Sequence, residues 1–176
     1  MCIRDRLPPD AVAPSHNLPL QLTSFVGREQ EVATLYRLLQ PSRSPGRLVT
    51  LTGPGGCGKT RLALEVAARL VAPPTNGASE SARQGRHSAP PPPRRRADEP
   101  APYPDGAWLV ELGSLSNPAQ LPQAVSDTLG LRDARNRPPV EALVDGLRAS
   151  RLLLILDTCE HLLDAAATLA TTLLQS

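Results

Sequence analysis

Eight consecutive residues constrain this chain more than any others: Gly53-Pro54-Gly55-Gly56-Cys57-Gly58-Lys59-Thr60. They satisfy the pattern G-x-x-x-x-G-K-[ST] at every fixed position. The flanks give the pattern its meaning. Residues 47–52 form a short, apolar, β-branched run that reads as a buried strand. Residues 61–70 carry apolar side chains at helical spacing among good helix formers. Strand, glycine bend and helix, in that order, predict a loop that wraps a polyphosphate. Glycine lets the backbone turn through positive φ and leaves no Cβ between the N–H groups and an anion. The helix adds its free N–H groups and partial positive charge at the same place. Lys59 is then expected on the β- and γ-phosphates and the Thr60 hydroxyl on Mg²⁺. The competing reading, a glycine-rich turn that happens to end in Lys-Thr, explains neither flank.

The rest of the chain divides by composition. Its 176 residues allow one domain with a real core, and the net charge of +2 sets up no strong field toward nucleic acid or an anionic membrane. Aromatic residues are scarce, so the core must come from Leu, Val and Ala. Cys2, Cys57 and Cys159 are too few and too scattered for a disulfide framework or a metal site, which fits a reducing, cytoplasmic setting. The longest purely apolar run, residues 152–156, is far too short to span a bilayer. Residues 1–19 are Pro-rich and aperiodic and read as linker, and residues 1–6 look like a translated assembly junction rather than a native start. Residues 20–176 read as the N-terminal part of one nucleotide-binding domain. Residues 72–104, with Pro90 to Pro93 and Arg94-Arg95-Arg96, read as a disordered insert between the loop helix and the next strand.

Outside the insert, element signals alternate. Val32, Leu35, Tyr36, Leu38 and Leu39 mark a helical stripe closed by Pro41 and Gly46. Residues 107–112 predict a second strand. Asn117 and Pro118 fit the cap and first turn of a helix over 119–129, with Gly130 at its far end. Val140, Leu143, Val144 and Leu147 mark another helix, residues 151–157 an apolar strand ending in Asp157, and residues 160–175 a final helix. An apolar strand ending in an acid, well downstream of such a loop, makes Asp157 the expected partner of Thr60 in holding Mg²⁺. A second carboxylate often follows that acid, but here the next residue is Thr158. Glu160 and His161 come soon after. Glu160 is the candidate for aiming the attacking water, against the plainer reading that acids favour a helix's first turn.

Three segments together resemble one family: residues 17–29 with Phe25-Val26-Gly27-Arg28-Glu29, the glycine loop, and Leu154-Ile155-Leu156-Asp157-Thr158-Cys159-Glu160-His161. They are similar to the bacterial STAND-type, NB-ARC-like P-loop ATPases found in LuxR-type, SARP-type and adenylate-cyclase-linked regulators. Trp108-Leu109-Val110-Glu111-Leu112 fits that family's second strand. The resemblance implies an α/β, three-layer P-loop NTPase fold of the ASCE/STAND type with a parallel sheet, incomplete at its C-terminus. It implies ATP/ADP and Mg²⁺ as ligands, a conformational switch driven by nucleotide exchange and slow ATP hydrolysis. It also places Val26 and Arg28 against the nucleotide, beside the motif residues Gly53, Pro54, Gly55, Gly56, Cys57, Gly58, Lys59 and Thr60 and the adjoining Arg61; Lys59, Asp157 and Glu160 remain the candidate catalytic groups from the residue pattern. The family usually has Asn where this chain has Thr158. In similar folds the strand between the loop strand and the Asp157 strand follows later in sequence. The isolated chain is therefore expected to fold poorly outside its parent, with two parallel edges unpaired. Any DNA contact or self-assembly would belong to parts of the parent beyond these residues. Two other readings stay open: a P-loop phosphotransferase or other ATPase, and a nucleotide-binding interaction module without turnover.

Overall fold

The computed structural model describes residues 16–23, 25–40, 47–72, 102–131 and 137–176. The proposed junction at residues 1–6, Pro41 and Gly46, and the proline–arginine core of the insert lie outside them. In chain order the elements are α1 (Glu29–Leu38), α2 (Lys59–Val71), β1 (Ala107–Glu111), a short 3-10 turn (Pro118–Gln120), α3 (Leu121–Thr128), α4 (Pro139–Leu147), β2 (Leu153–Asp157) and α5 (Leu163–Gln175).

The two strands run parallel, with Ala107 opposite Leu153 and Glu111 opposite Asp157. The ladder is prolonged at both ends, by Leu153 N–H to the Gly106 carbonyl and by Leu112 N–H to the Asp157 carbonyl. Alternation along a strand sends successive side chains to opposite faces. Leu154 and Leu156, with Val110 and Leu112, pack into a core built on Leu121, Val125, Leu143, Leu162, Ala166 and Leu169, the inner faces of α3, α4 and α5. Leu153 turns the other way, toward Val32, Leu35 and Tyr36 of α1 and Leu62, Val66 and Leu70 of α2. Helices thus cover both faces of the strand pair, which is a three-layer α/β arrangement.

The sheet is smaller than the sequence predicts. Residues 47–52 form neither helix nor strand, and no strand pairs with them among the described residues. Val49 and Leu51 still pack against the α1–α2 core, and the Arg47 guanidinium donates to the Leu174 carbonyl at 2.7 Å, near the C-terminal end of α5. The segment is placed by its side chains rather than by a ladder. The second edge of β2 likewise has no strand neighbour among the described residues.

The outer edge of β1 is closed by the end of the linker-like region. His16 forms a parallel bridge to Ala107. The Asn17 side chain donates to the Leu109 carbonyl at 2.8 Å and accepts from its N–H at 2.6 Å. One amide thereby satisfies both backbone groups of a buried strand residue, as a neighbouring strand would. Tyr103, at the far end of the insert, donates its hydroxyl to the Leu39 carbonyl, and burial pushes its pKa up, keeping it a donor.

Helix boundaries shift slightly from expectation. Pro122 has no N–H to give, so 118–128 divides into a 3-10 turn capped by Asn117 and the α3 helix proper. The last helix begins at Leu163 rather than residue 160, because Leu162 and the turn before it first carry the chain back over the core.

Replacing Asn17 by Ala removes both bonds to Leu109 and is expected to lower the unfolding free energy by about 1–3 kcal/mol. Equilibrium urea unfolding of the full chain measures it.

Candidate functional site

The loop from Gly53 to Gly58 joins residues 47–52 to the first turn of α2 at the C-terminal end of the strand pair. Gly56 and Gly58 have φ of 73° and 84°, the left-handed region that an L side chain enters only at a cost. Gly58 is also the residue from which α2 starts. Most of the loop is exposed, with Cys57 half-buried.

Lys59 folds back over this loop. Its Nζ donates to the carbonyls of Gly53 and Pro54 at 2.9 and 3.0 Å, and the Cys57 sulfur stands 3.9 Å away. Two of its three protons go to strong acceptors, so the ammonium is held at the mouth of the bend with one donor meeting only weak sulfur. Thr60, next on the helix, donates its hydroxyl to Asp157 Oδ1 at 2.8 Å. This contact joins the start of α2 to the end of β2 across 97 positions of sequence.

Asp157 is held on its other oxygen as well, by the Thr158 hydroxyl at 3.3 Å. Thr158 has φ of 56°. For a β-branched residue that is a true outlier, and it sits where strain is often kept, beside a functional group. Gly113 makes room for it: a methyl group there would stand 3.3 Å from Thr158 Cγ2. The family resemblance puts Asn at this position, and Asn is the residue besides glycine that best tolerates this conformation.

The other expected residues fall into two groups. Arg28 enters α1 with φ of 60°, and a methyl group on Gly58 would meet its guanidinium Nη1 at 4.0 Å, so its charge lies alongside the loop. Val26, two residues before it, is 79% exposed, so an apolar side chain stands open to solvent on the same segment. Arg61 points elsewhere. Its guanidinium donates to the Thr23 carbonyl and hydroxyl at 2.8 and 2.6 Å and lies 6.0 Å from the centre of the Phe25 ring. It ties the N-terminal segment to α2.

Glu160 is exposed in the turn between β2 and α5, with no hydrogen-bond or ion-pair partner among the described residues. Its neighbour His161 bonds through Nε2 to the Leu115 carbonyl at 2.8 Å, which fixes that turn against the loop after β1. One acid not singled out from the sequence also reaches this end of the sheet. Glu111 closes β1 directly opposite Asp157. Its strand, like that of Asp157, ends in an acid, but only the register puts the two side by side.

Among the described residues no group of three or more His, Cys, Asp or Glu is gathered for a metal. The Thr60 hydroxyl and Asp157 carboxylate are two hard oxygen donors, the type that suits Mg²⁺, which retains much of its water. The donor set therefore fits that ion.

The sequence profile described as AAA ATPase domain matches residues 24–176, from just before the Val26–Arg28 segment through α5. The chain belongs to the AAA ATPase domain family. This AAA domain is a P-loop NTPase with an α/β fold, a family that generally binds ATP or ADP with Mg²⁺. It is 33% identical over 168 residues to the uncharacterized protein Rv0894 of Mycobacterium tuberculosis, covering 96% of this chain and 34% of that one. It is 33% identical over 128 residues to another M. tuberculosis protein, provisionally named HTH-type transcriptional regulator Rv0890c, covering 73% of this chain and 11% of that one. The chain therefore spans about a third of the length of the first relatives it matches. No solved structure shows a significant match. No described helix of this AAA domain is long and apolar enough to cross a membrane.

Substituting Thr158 by Asn relieves a left-handed β-branched residue and is expected to raise stability by about 1 kcal/mol. Thr158→Ala, which keeps a Cβ, gains less. Thermal melting of the two variants beside the parent chain separates them.

Proposed function

We propose that this AAA domain is the nucleotide-binding part of a STAND-type, NB-ARC-like switch within a cytoplasmic bacterial signalling or transcriptional regulator. In this reading ADP holds one conformation, exchange for ATP permits another, and slow hydrolysis resets the cycle. The observation that carries the reading is the 2.8 Å bond between Thr60 and Asp157. Two residues that the sequence assigns to opposite sides of one magnesium ion already meet, although neither helix nor strand alone would bring them together.

Each part then has a physical task. Loop N–H groups and the α2 N-terminus receive the phosphates. Lys59, held at the mouth of the bend by two carbonyls, turns its charge onto the β- and γ-phosphate oxygens. The Arg28 guanidinium adds positive charge from the α1 side, and exposed Val26 offers an apolar surface to the base. Mg²⁺, when bound through Thr60 and Asp157, supplies charge neutralisation for the phosphates. The relative provisionally named as an HTH-type transcriptional regulator supports placing such a domain in a regulator. DNA contact would then belong to other parts of the parent.

Isothermal calorimetry with Mg-ATP and Mg-ADP tests nucleotide binding, and radiolabelled phosphate release tests turnover. Lys59→Ala is expected to weaken Mg-ATP binding by roughly 10- to 100-fold, the value of a charge-assisted bond. The reading is lost if neither nucleotide gives heat with the full chain or its parent. Tight ADP retention without phosphate release would instead leave a binding switch that does not turn over.

A further inference from the structure

We infer that Glu111 is the carboxylate that takes the proton from the attacking water, an assignment that rests on the ATPase reading above. The starting point is a gap in the motif. A single strand-end acid must hold the metal, and the residue after it, Thr158, has no basic group. Asp157 is itself committed: Thr60 donates to one carboxylate oxygen and Thr158 to the other. With both oxygens engaged and the metal to hold, Asp157 is not placed to take a proton from the water as well, so a second group must do that work.

The strand register supplies one. Glu111 and Asp157 are opposite residues of a parallel pair, so their Cα atoms are about 4.8 Å apart and their side chains leave the same face of the sheet. The Leu112 N–H to Asp157 carbonyl bond, 3.0 Å long, locks the two strand ends together. That face can be identified. Leu153, two pleats before Asp157, packs with α2, whereas Leu154, Leu156, Val110 and Leu112 pack on the opposite side against α3, α4 and α5. Glu111 and Asp157 therefore both lie on the α2 face, at the end where α2 presents Lys59 and Thr60.

The two acids differ in their surroundings. Glu111 is exposed and has no hydrogen-bond or ion-pair partner among the described residues, so its carboxylate is available to a water molecule. Glu160 is equally exposed and unpartnered, but it belongs to a turn beyond the strand end, outside the ladder register that fixes Glu111 beside Asp157. Environment thus divides the carboxylates by duty, with Asp157 holding and Glu111 accepting.

In the step itself the water oxygen forms a bond to the γ-phosphorus while its proton passes to Glu111. The bond from that phosphorus to the β,γ-bridging oxygen breaks, and its electron pair leaves with ADP. Glu111 then releases the proton to bulk water, which returns it to its ionised form beside Asp157.

The test compares the wild-type full chain, or its parent, with Glu111→Gln and Glu111→Asp in Mg-ATP binding and single-turnover phosphate release. Glu111→Gln is expected to bind Mg-ATP within about threefold of wild type yet hydrolyse it roughly 100-fold more slowly, the scale of general base catalysis. Glu111→Asp is expected to recover part of the rate without changing Mg-ATP affinity. A Glu111→Gln rate within threefold of wild type overturns the assignment and leaves the ATPase reading intact. So does a loss confined to Mg-ATP affinity. A wild type that binds nucleotide without releasing phosphate overturns it as well, while preserving nucleotide binding. A wild type that binds neither nucleotide removes the parent reading.

Discussion

Five residues of β1 lie parallel to five residues of β2, and this pairing fixes both the layers and the chemistry. A parallel pair cannot be joined by a tight turn, so the intervening chain must cross over one face, and here α3 and α4 do so. The pleat then assigns Leu154 and Leu156 to that side and Leu153 to the α1–α2 side. Because both strands point the same way, both of their terminal acids arrive at one edge. An antiparallel pairing of the same two strands would have put Glu111 and Asp157 at opposite ends.

The loop depends on that frame in turn. Its glycine turns at positive φ cost conformational entropy, and they are held because α2 is anchored by Leu62, Val66 and Leu70 in the α1–α2 core. Thr60 is then close enough to reach Asp157. The strained backbone of Thr158 is sustained on the same basis. Leu112 holds the Asp157 carbonyl on one side, and Leu162 and His161 hold the chain that follows on the other. Strain concentrated at one residue beside a committed acid is bearable when its neighbours are fixed this firmly.

Much of this was legible in the residue order. The spacing of Val32, Leu35 and Tyr36 gave α1, the run after Lys59 gave α2, and the apolar run ending in Asp157 gave β2, since each signal is local. Residues 47–52 read as a strand for the same reason, and their Val49 and Leu51 do seek the core, but strand identity also needs a neighbour to share hydrogen bonds. Composition grouped residues 16–19 with a linker, yet Asn17 serves as a surrogate strand for Leu109. A lone side-chain amide carries no periodicity, so pattern reading has nothing to detect there. Arg61 illustrates the same limit: no local pattern announces that its guanidinium bonds Thr23 and lies over Phe25.

The sequence by itself determined the glycine bend and the lysine and threonine that follow it, because these residues at fixed offsets act within one turn of chain. It also determined which strand would deliver an acid. Only the tertiary structure decided which residues face that loop from elsewhere. The meeting of Thr60 with Asp157, the place of Arg28 beside Gly58 and the pairing of Glu111 with Asp157 all depend on register and packing between segments remote in sequence. A one-residue slip of β1 against β2 would leave every local signal unchanged and turn Glu111 to the other face.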